Sequence, residues 1–86
     1  MSDWFVYVLR CNDDSLYTGV TTDVARRLNE HNHDKKLGAH YTRARRPVTL
    51  VYTEPCTDRS QALKREVGIK KLKRTQKEAL INNVSV

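Results

Sequence analysis

The sequence predicts a single small α+β domain spanning residues 1–86, with its elements in the order β-β-α-β-α-α. Three observations carry that reading. Two apolar, β-branched and aromatic runs, residues 4–9 and 16–20, flank a polar turn cluster. A third, alternating run follows Pro47. The remaining ordered segments open on side chains that cap helices and continue with apolar residues at helical spacing. A chain of 86 residues is close to the size at which one hydrophobic core gives only modest stability, so one core and no internal duplication are expected.

Residues 4–9, Trp-Phe-Val-Tyr-Val-Leu, are apolar throughout, which suits a strand covered on both faces, most simply the central one of a small sheet. Asn12, Asp13, Asp14 and Ser15 then turn the chain, and residues 16–20 return it as an antiparallel partner. Because strand side chains alternate, Phe5, Tyr7 and Leu9 share one face, as do Tyr17 and Gly19 on the second strand. Whether Tyr7 and Tyr17 meet depends on a register that sequence does not fix. Thr21, Thr22 and Asp23 offer acceptors to the start of a helix running from about residue 22 to about residue 34. Val24 and Leu28 form its buried stripe, with Arg27 and His31, four residues apart, stacked along the edge.

Residues 33–47 carry five Lys/Arg against one Asp and no apolar period, which predicts a basic loop. Residues 48–53 form the third strand. The capping-box pattern from Asp58 to Gln61 opens a second helix reaching about residue 72, with Ala62, Leu63, Val67 and Ile69 as its apolar arc. The pattern recurs from Thr75 to Glu78 and opens a short helix over about residues 75–82, carrying Ala79, Leu80 and Ile81, before a fraying tail.

The formal net charge is +6 and 30% of residues are charged, a balance that favours a polyanionic partner, nucleic acid first, over a cationic one, although solubility alone also accounts for it. Within the basic loop, Lys35, Lys36, Arg43, Arg45 and Arg46 are interleaved with His40 and Tyr41. Two readings stand: a solvated connection, or a nucleic-acid-binding surface that touches phosphates and bases. Cys11 and Cys56 fit no metal-ligand spacing and read as reduced thiols. No run is long and apolar enough to cross a bilayer, and the first residues lack the order of a signal peptide, so a cytoplasmic location without a membrane partner is expected.

Glu66 stands out, because helical pitch places it between Ala62 and Ile69, inside the apolar arc. A carboxylate there is costly unless it is paired, hydrogen-bonded, bound to a metal or opened to a cleft. An ion pair, for example with Arg27, and a metal site are both open on the residues alone.

Taken in order, Val6-Tyr7-Val8, Tyr17-Thr18-Gly19, Arg27, His31 and Glu66 resemble the GIY-YIG nuclease superfamily over about residues 4–72. The stretches Asp23-Val-Ala-Arg-Arg27, Tyr41-Thr42 and Leu63-Lys-Arg-Glu66 look most like its small stand-alone bacterial proteins. The resemblance implies a three-stranded antiparallel sheet flanked by helices. It also implies hydrolysis of a DNA phosphodiester with a divalent metal, magnesium or manganese, held by Glu66. By the same resemblance Tyr7 or Tyr17 deprotonates or orients the attacking water, Arg27 neutralises charge building on phosphorus, and His31 is a further site residue.

These residue types suit phosphoryl transfer, which needs charge stabilisation and an aligned water more than a covalent group. A tyrosine with an ordinary pKa near 10 is a poor base at neutral pH unless a cation stabilises its phenolate. Magnesium keeps several waters, so one carboxylate can suffice. Many family members carry a later asparagine, matched here only by Asn82 and Asn83. The alternatives to a DNA nuclease are a nucleic-acid-binding module with lost catalysis and a domain that needs a protein partner, with RNA open as a ligand.

Overall fold

In a computed structural model, which describes residues 3–34 and 36–82, the central strand of the sheet is the first one. The strands are β1 (Trp4–Arg10), β2 (Leu16–Thr21) and β3 (Thr49–Cys56), and the helices are α1 (Val24–His33), α2 (His40–Arg43), α3 (Arg59–Lys70) and α4 (Arg74–Asn82). The strands pair antiparallel in the order β2-β1-β3. The expected element order therefore holds, with one addition: the basic loop contains a one-turn helix, α2. Lys35, Asn83 and the tail expected to fray lie outside the described residues.

β1 is apolar throughout because both its faces are covered. Val6 and Val8 pack with Tyr52 and Cys56 of β3 and with Ala62 and Ile69 of α3, and Leu80 and Ile81 of α4 close the same cluster. Tyr7 and Leu9 point the other way, into a second cluster with Cys11, Val48, Tyr17, Leu50 and Leu28 of α1. Each fully buried side chain of the size of Val6, Leu9 or Ile69 contributes ~1.5–3 kcal/mol relative to exposure, so this strand anchors both halves of the core.

The hairpin loop closes through a 2.8 Å bond from the Cys11 N–H to the Ser15 carbonyl. Asp14 adopts a left-handed φ of 68°, which aspartate tolerates at a turn. Asp23 caps α1 by accepting from the Arg26 N–H at 3.0 Å. The far end of α1 is closed by Arg46, whose guanidinium donates to the carbonyls of His31 (2.5 Å), Asp34 (2.6 Å) and Glu30 (3.3 Å). Asn32 clamps the same end to the entry of β3 through paired bonds with the Val48 backbone, 2.8 and 3.0 Å.

Three sequence expectations need correction. Val67 is 50% exposed and not part of the core. At the pitch of an α-helix it lies about 140° round from Ala62, whereas Ile69 lies about 20° and Glu66 about 40° away. Asp58 caps α3 as expected, accepting from the Gln61 N–H at 2.8 Å, but the reciprocal arm is shifted, because the Gln61 side chain accepts from the Thr57 N–H at 2.7 Å. The box read from Thr75 does not form. α4 begins at Arg74, and Gln76 accepts from the Lys73 N–H at 2.9 Å. Glu78 instead takes two hydrogen bonds from Arg10, at 2.6 and 3.0 Å, and pairs with Arg74, binding α4 to the hairpin.

Candidate active site

The β1–β2 register answers the question that sequence left open. Tyr7 stands opposite Gly19 and Leu9 opposite Tyr17, so both tyrosines share a face, with ring centroids 6.4 Å apart. Gly19 makes room for this. A Cβ at that position would lie 2.5 Å from the Tyr7 hydroxyl oxygen and 2.6 Å from its Cζ, so only a residue without a side chain lets the phenol lie across β2.

The Tyr7 hydroxyl meets His31 Nε2 at 2.8 Å, and His31 Nδ1 meets the Thr42 hydroxyl at 2.8 Å. Thr42 donates its own hydrogen to the Ala39 carbonyl at 3.0 Å, so it accepts from His31 Nδ1–H. That assignment leaves Nε2 as the acceptor for the Tyr7 proton. Tyr7, His31 and Thr42 are all buried, His31 and Thr42 completely. Burial, followed by the positive charge of Arg27, pushes the His31 pKa down to about 4, so the ring is neutral at neutral pH. Burial and then the neighbouring Tyr17 push the Tyr7 phenol up to about 12, against the pull of Arg27. The Glu66 carboxylate on α3 raises it too, as the weakest of these influences.

Around this buried chain the other residues form a rim. Tyr17 lies edge-on to His31 at 5.2 Å and stacks on Tyr41 at 5.9 Å, and the Arg45 guanidinium sits 3.9 Å from the centre of the Tyr41 ring. Among the described residues the Tyr17 hydroxyl has no hydrogen-bond partner. Arg27 is held by Glu30 at 3.0 Å and by the Leu37 carbonyl. The suggested Glu66–Arg27 pair is not what forms. Glu66, its side chain 18% exposed, is 3.4 Å from Lys70 Nζ.

The residues singled out for nucleic acid divide into two groups. Arg46 is engaged in capping α1, and Arg45 is tied to Asp13 at 3.0 Å and to the Tyr41 carbonyl at 2.8 Å. Lys36, His40, Tyr41 and Arg43 stand on the exposed side of the loop, where Arg43 meets His40 Nδ1 at 3.4 Å. Thr42, which the sequence marks only through the Tyr41-Thr42 resemblance, orients the histidine. A small polar residue inside a basic loop carries no burial signal in sequence, and only the turn of α2 gives it one.

Glu66 is the one acidic side chain that bears on this cluster from α3, and no group of three or more His, Cys, Asp or Glu able to hold a metal occurs among the described residues. A single half-buried carboxylate fits a magnesium-type ion, which takes one or two carboxylates and keeps waters, once Lys70 gives way.

The GIY-YIG catalytic domain family matches residues 3–79. A UPF0213 protein of Desulfotalea psychrophila is 59% identical over 78 residues, 91% of this chain and 70% of that protein. One from Staphylococcus epidermidis is 53% identical over 81 residues, 94% of this chain and 96% of that protein. The solution NMR structure of a protein from E. faecalis superposes with a TM-score of 0.63 at 43% identity, covering 99% of this chain and 92% of that one. A UPF0213 protein structure from Bacillus halodurans gives 0.58 at 43% identity, over 92% of this chain and 82% of that one. With its paired tyrosines in register and so much of its length matched, the chain belongs to the GIY-YIG catalytic domain family.

Proposed function

We propose that this protein is a divalent-metal-dependent nuclease that hydrolyses DNA phosphodiesters. The observation that carries the reading is the buried Tyr7–His31–Thr42 chain, flanked by the charges of Arg27 and Glu66. Nothing in the packing requires it. An apolar core of the same shape would avoid burying three polar side chains, and perturbed titrating groups gathered at one place mark functional sites more often than scaffold.

The roles follow from the surroundings. Arg27 presents a permanently charged fork to a phosphate. Tyr17, with its hydroxyl unengaged, positions the attacking water. Tyr7 holds a proton that His31 can receive, although at rest the raised phenol and the lowered imidazole oppose the transfer. Arg27 lowers the Tyr7 phenol as well as the His31 imidazole, so a phosphodiester anion on Arg27 raises both, and the pair stays neutral with substrate bound. Glu66 would hold the metal, which supplies charge stabilisation for the oxygens of the reacting phosphate.

The test is nicking of supercoiled plasmid by the wild type and by Glu66→Gln, with magnesium or manganese and with EDTA. Metal-dependent nicking by the wild type alone, with both proteins melting within a few degrees of each other, is the expected result. Nicking that survives EDTA or the glutamine substitution overturns the metal role of Glu66. No nicking of DNA, with cleavage of RNA instead, moves the substrate class.

A further inference from the structure

Arg45 and Arg46 of the basic loop are engaged within the fold, and among the described residues a further set of cations without ion pairs lies at the junction of α3 and α4. Between residues 64 and 77 there are seven Lys/Arg and one acidic residue, Glu66. Arg65 is paired with Glu54, Arg74 with Glu78 and Asp14, and Lys70 with Glu66. Lys64, Lys71, Lys73 and Lys77 make no ion pair among the described residues, and of these Lys64 lies within α3, away from the α3–α4 connection. Lys71 and Lys73 are exposed, and Lys77 is half-buried.

The backbone holding these lysines is ordered. The Lys71 N–H donates to the carbonyls of Val67 and Ile69 at the end of α3, and the Lys73 N–H is capped by Gln76 at the start of α4. Only residues 71–73 separate the two helices, so Lys70, Lys71 and Lys73 are confined to one short arc, and Lys77 follows Lys73 by one helical turn. Helix stability does not account for the set. Lys73 and Lys77 sit at the N-terminal end of α4, where the helix dipole disfavours cations, and that first turn has no acidic residue.

We propose that Lys70, Lys71, Lys73 and Lys77 form the surface along which the phosphate backbone of duplex DNA runs as it leaves the active site. The link to the site is Lys70, whose Nζ lies 3.4 Å from Glu66, the carboxylate proposed to hold the metal. Ammonium groups on flexible stems neutralise phosphates without reading bases, so the surface gives affinity and register and no sequence preference. This inference rests on the nucleic-acid reading of the site.

The test is fluorescence anisotropy of a labelled DNA duplex in EDTA between 50 and 200 mM salt, so that cleavage does not enter (roughly the range over which phosphate contacts dominate salt dependence). The probes are wild type, K71A/K73A/K77A, the charge-keeping K71R/K73R/K77R, and the loop variant K36A/R43A. Each lost phosphate contact takes ~0.9 from the slope of log K against log salt, so the triple alanine variant should lose about 2–3 from that slope. The arginine variant should retain it, and circular dichroism should show all variants folded. A triple alanine variant that keeps the wild-type slope, while the loop variant loses it, overturns this inference and leaves the nuclease reading intact. A wild type that binds no duplex at 50 mM salt overturns both, and binding to phosphatidylserine vesicles in its place assigns the surface to a membrane.

Discussion

Gly19→Ala is the sharpest probe of how the site is built. The added methyl would lie 2.5 Å from the Tyr7 oxygen and 2.6 Å from Cζ, about 1 Å inside ordinary contact. Tyr7 cannot yield cheaply, since it is 2% exposed, flanked by Tyr17 and His31, and hydrogen-bonded to His31. Overpacking of this kind costs ~1–3 kcal/mol, and losing the Tyr7–His31 bond costs ~1 kcal/mol more. Against this, replacing a strand glycine returns ~0.5–1 kcal/mol of backbone entropy. The balance is about 2 kcal/mol, which for a domain of this size lowers the melting temperature by roughly 8–16 °C. Thermal unfolding followed by circular dichroism measures it, in wild type and in a Tyr7→Phe background, where the atom closest to the new methyl is gone. The alanine should cost less in that background, giving a non-zero coupling energy. If Gly19→Ala melts within about 2 °C of wild type, or costs the same with and without the Tyr7 hydroxyl, the phenol does not lie across β2 and the proposed chain to His31 fails with it.

Three further outcomes are expected. His31 has a folded pKa of about 4 against an ordinary value of 6.5, so the unfolded chain binds the extra proton first; stability is whole above pH 6.5 and falls by up to roughly 3 kcal/mol as pH drops toward 4. Urea denaturation across that range should show the slope in wild type and lose most of it in His31→Gln. Arg27→Lys keeps the charge but loses the planar fork, so it should slow cleavage while leaving most DNA affinity in the binding titration; equal loss of both would make Arg27 a binding residue only. Tyr17→Phe should cut the cleavage rate roughly 100-fold or more with little change in melting temperature, and wild-type cleavage by this variant would leave Tyr17 as packing for Tyr41 and His31.

The fold was largely legible because its strongest signals are local. An unbroken run rich in aromatic and β-branched residues, ended by a turn cluster, suits a strand covered twice, and residues 4–10 form the middle strand. Caps at Asp23 and Asp58 were readable because an acceptor side chain next to an apolar period has one common use. The box at Thr75 failed for the opposite reason. Glu78 matched a local pattern, but a guanidinium 68 residues away in sequence, that of Arg10, binds it with two hydrogen bonds, and the cap passed to Gln76. The Arg10–Glu78 pair joins two full charges through two hydrogen bonds, whereas the cap would join the carboxylate to a single amide N–H, so the tertiary partner overrides the local motif.

The site was legible as a set of residues and not as an arrangement, and Arg46 shows why. In sequence it is one more cation in a basic loop, indistinguishable from Arg43. In the fold its guanidinium takes three carbonyls at the end of α1, the end that carries His31, so its contribution to the site is made through the backbone of the histidine. Thr42 acts on the same ring from the other side. A histidine pushed toward pKa 4 needs its orientation fixed by something other than its own charge, because a neutral imidazole gains little from nearby carboxylates. Arg46 and Thr42 together supply that constraint, and neither could be recognised until the chain that separates them from His31 had folded back. The basic loop is thus in good part the histidine's support, and it still holds Lys36, His40, Tyr41 and Arg43 on its exposed side.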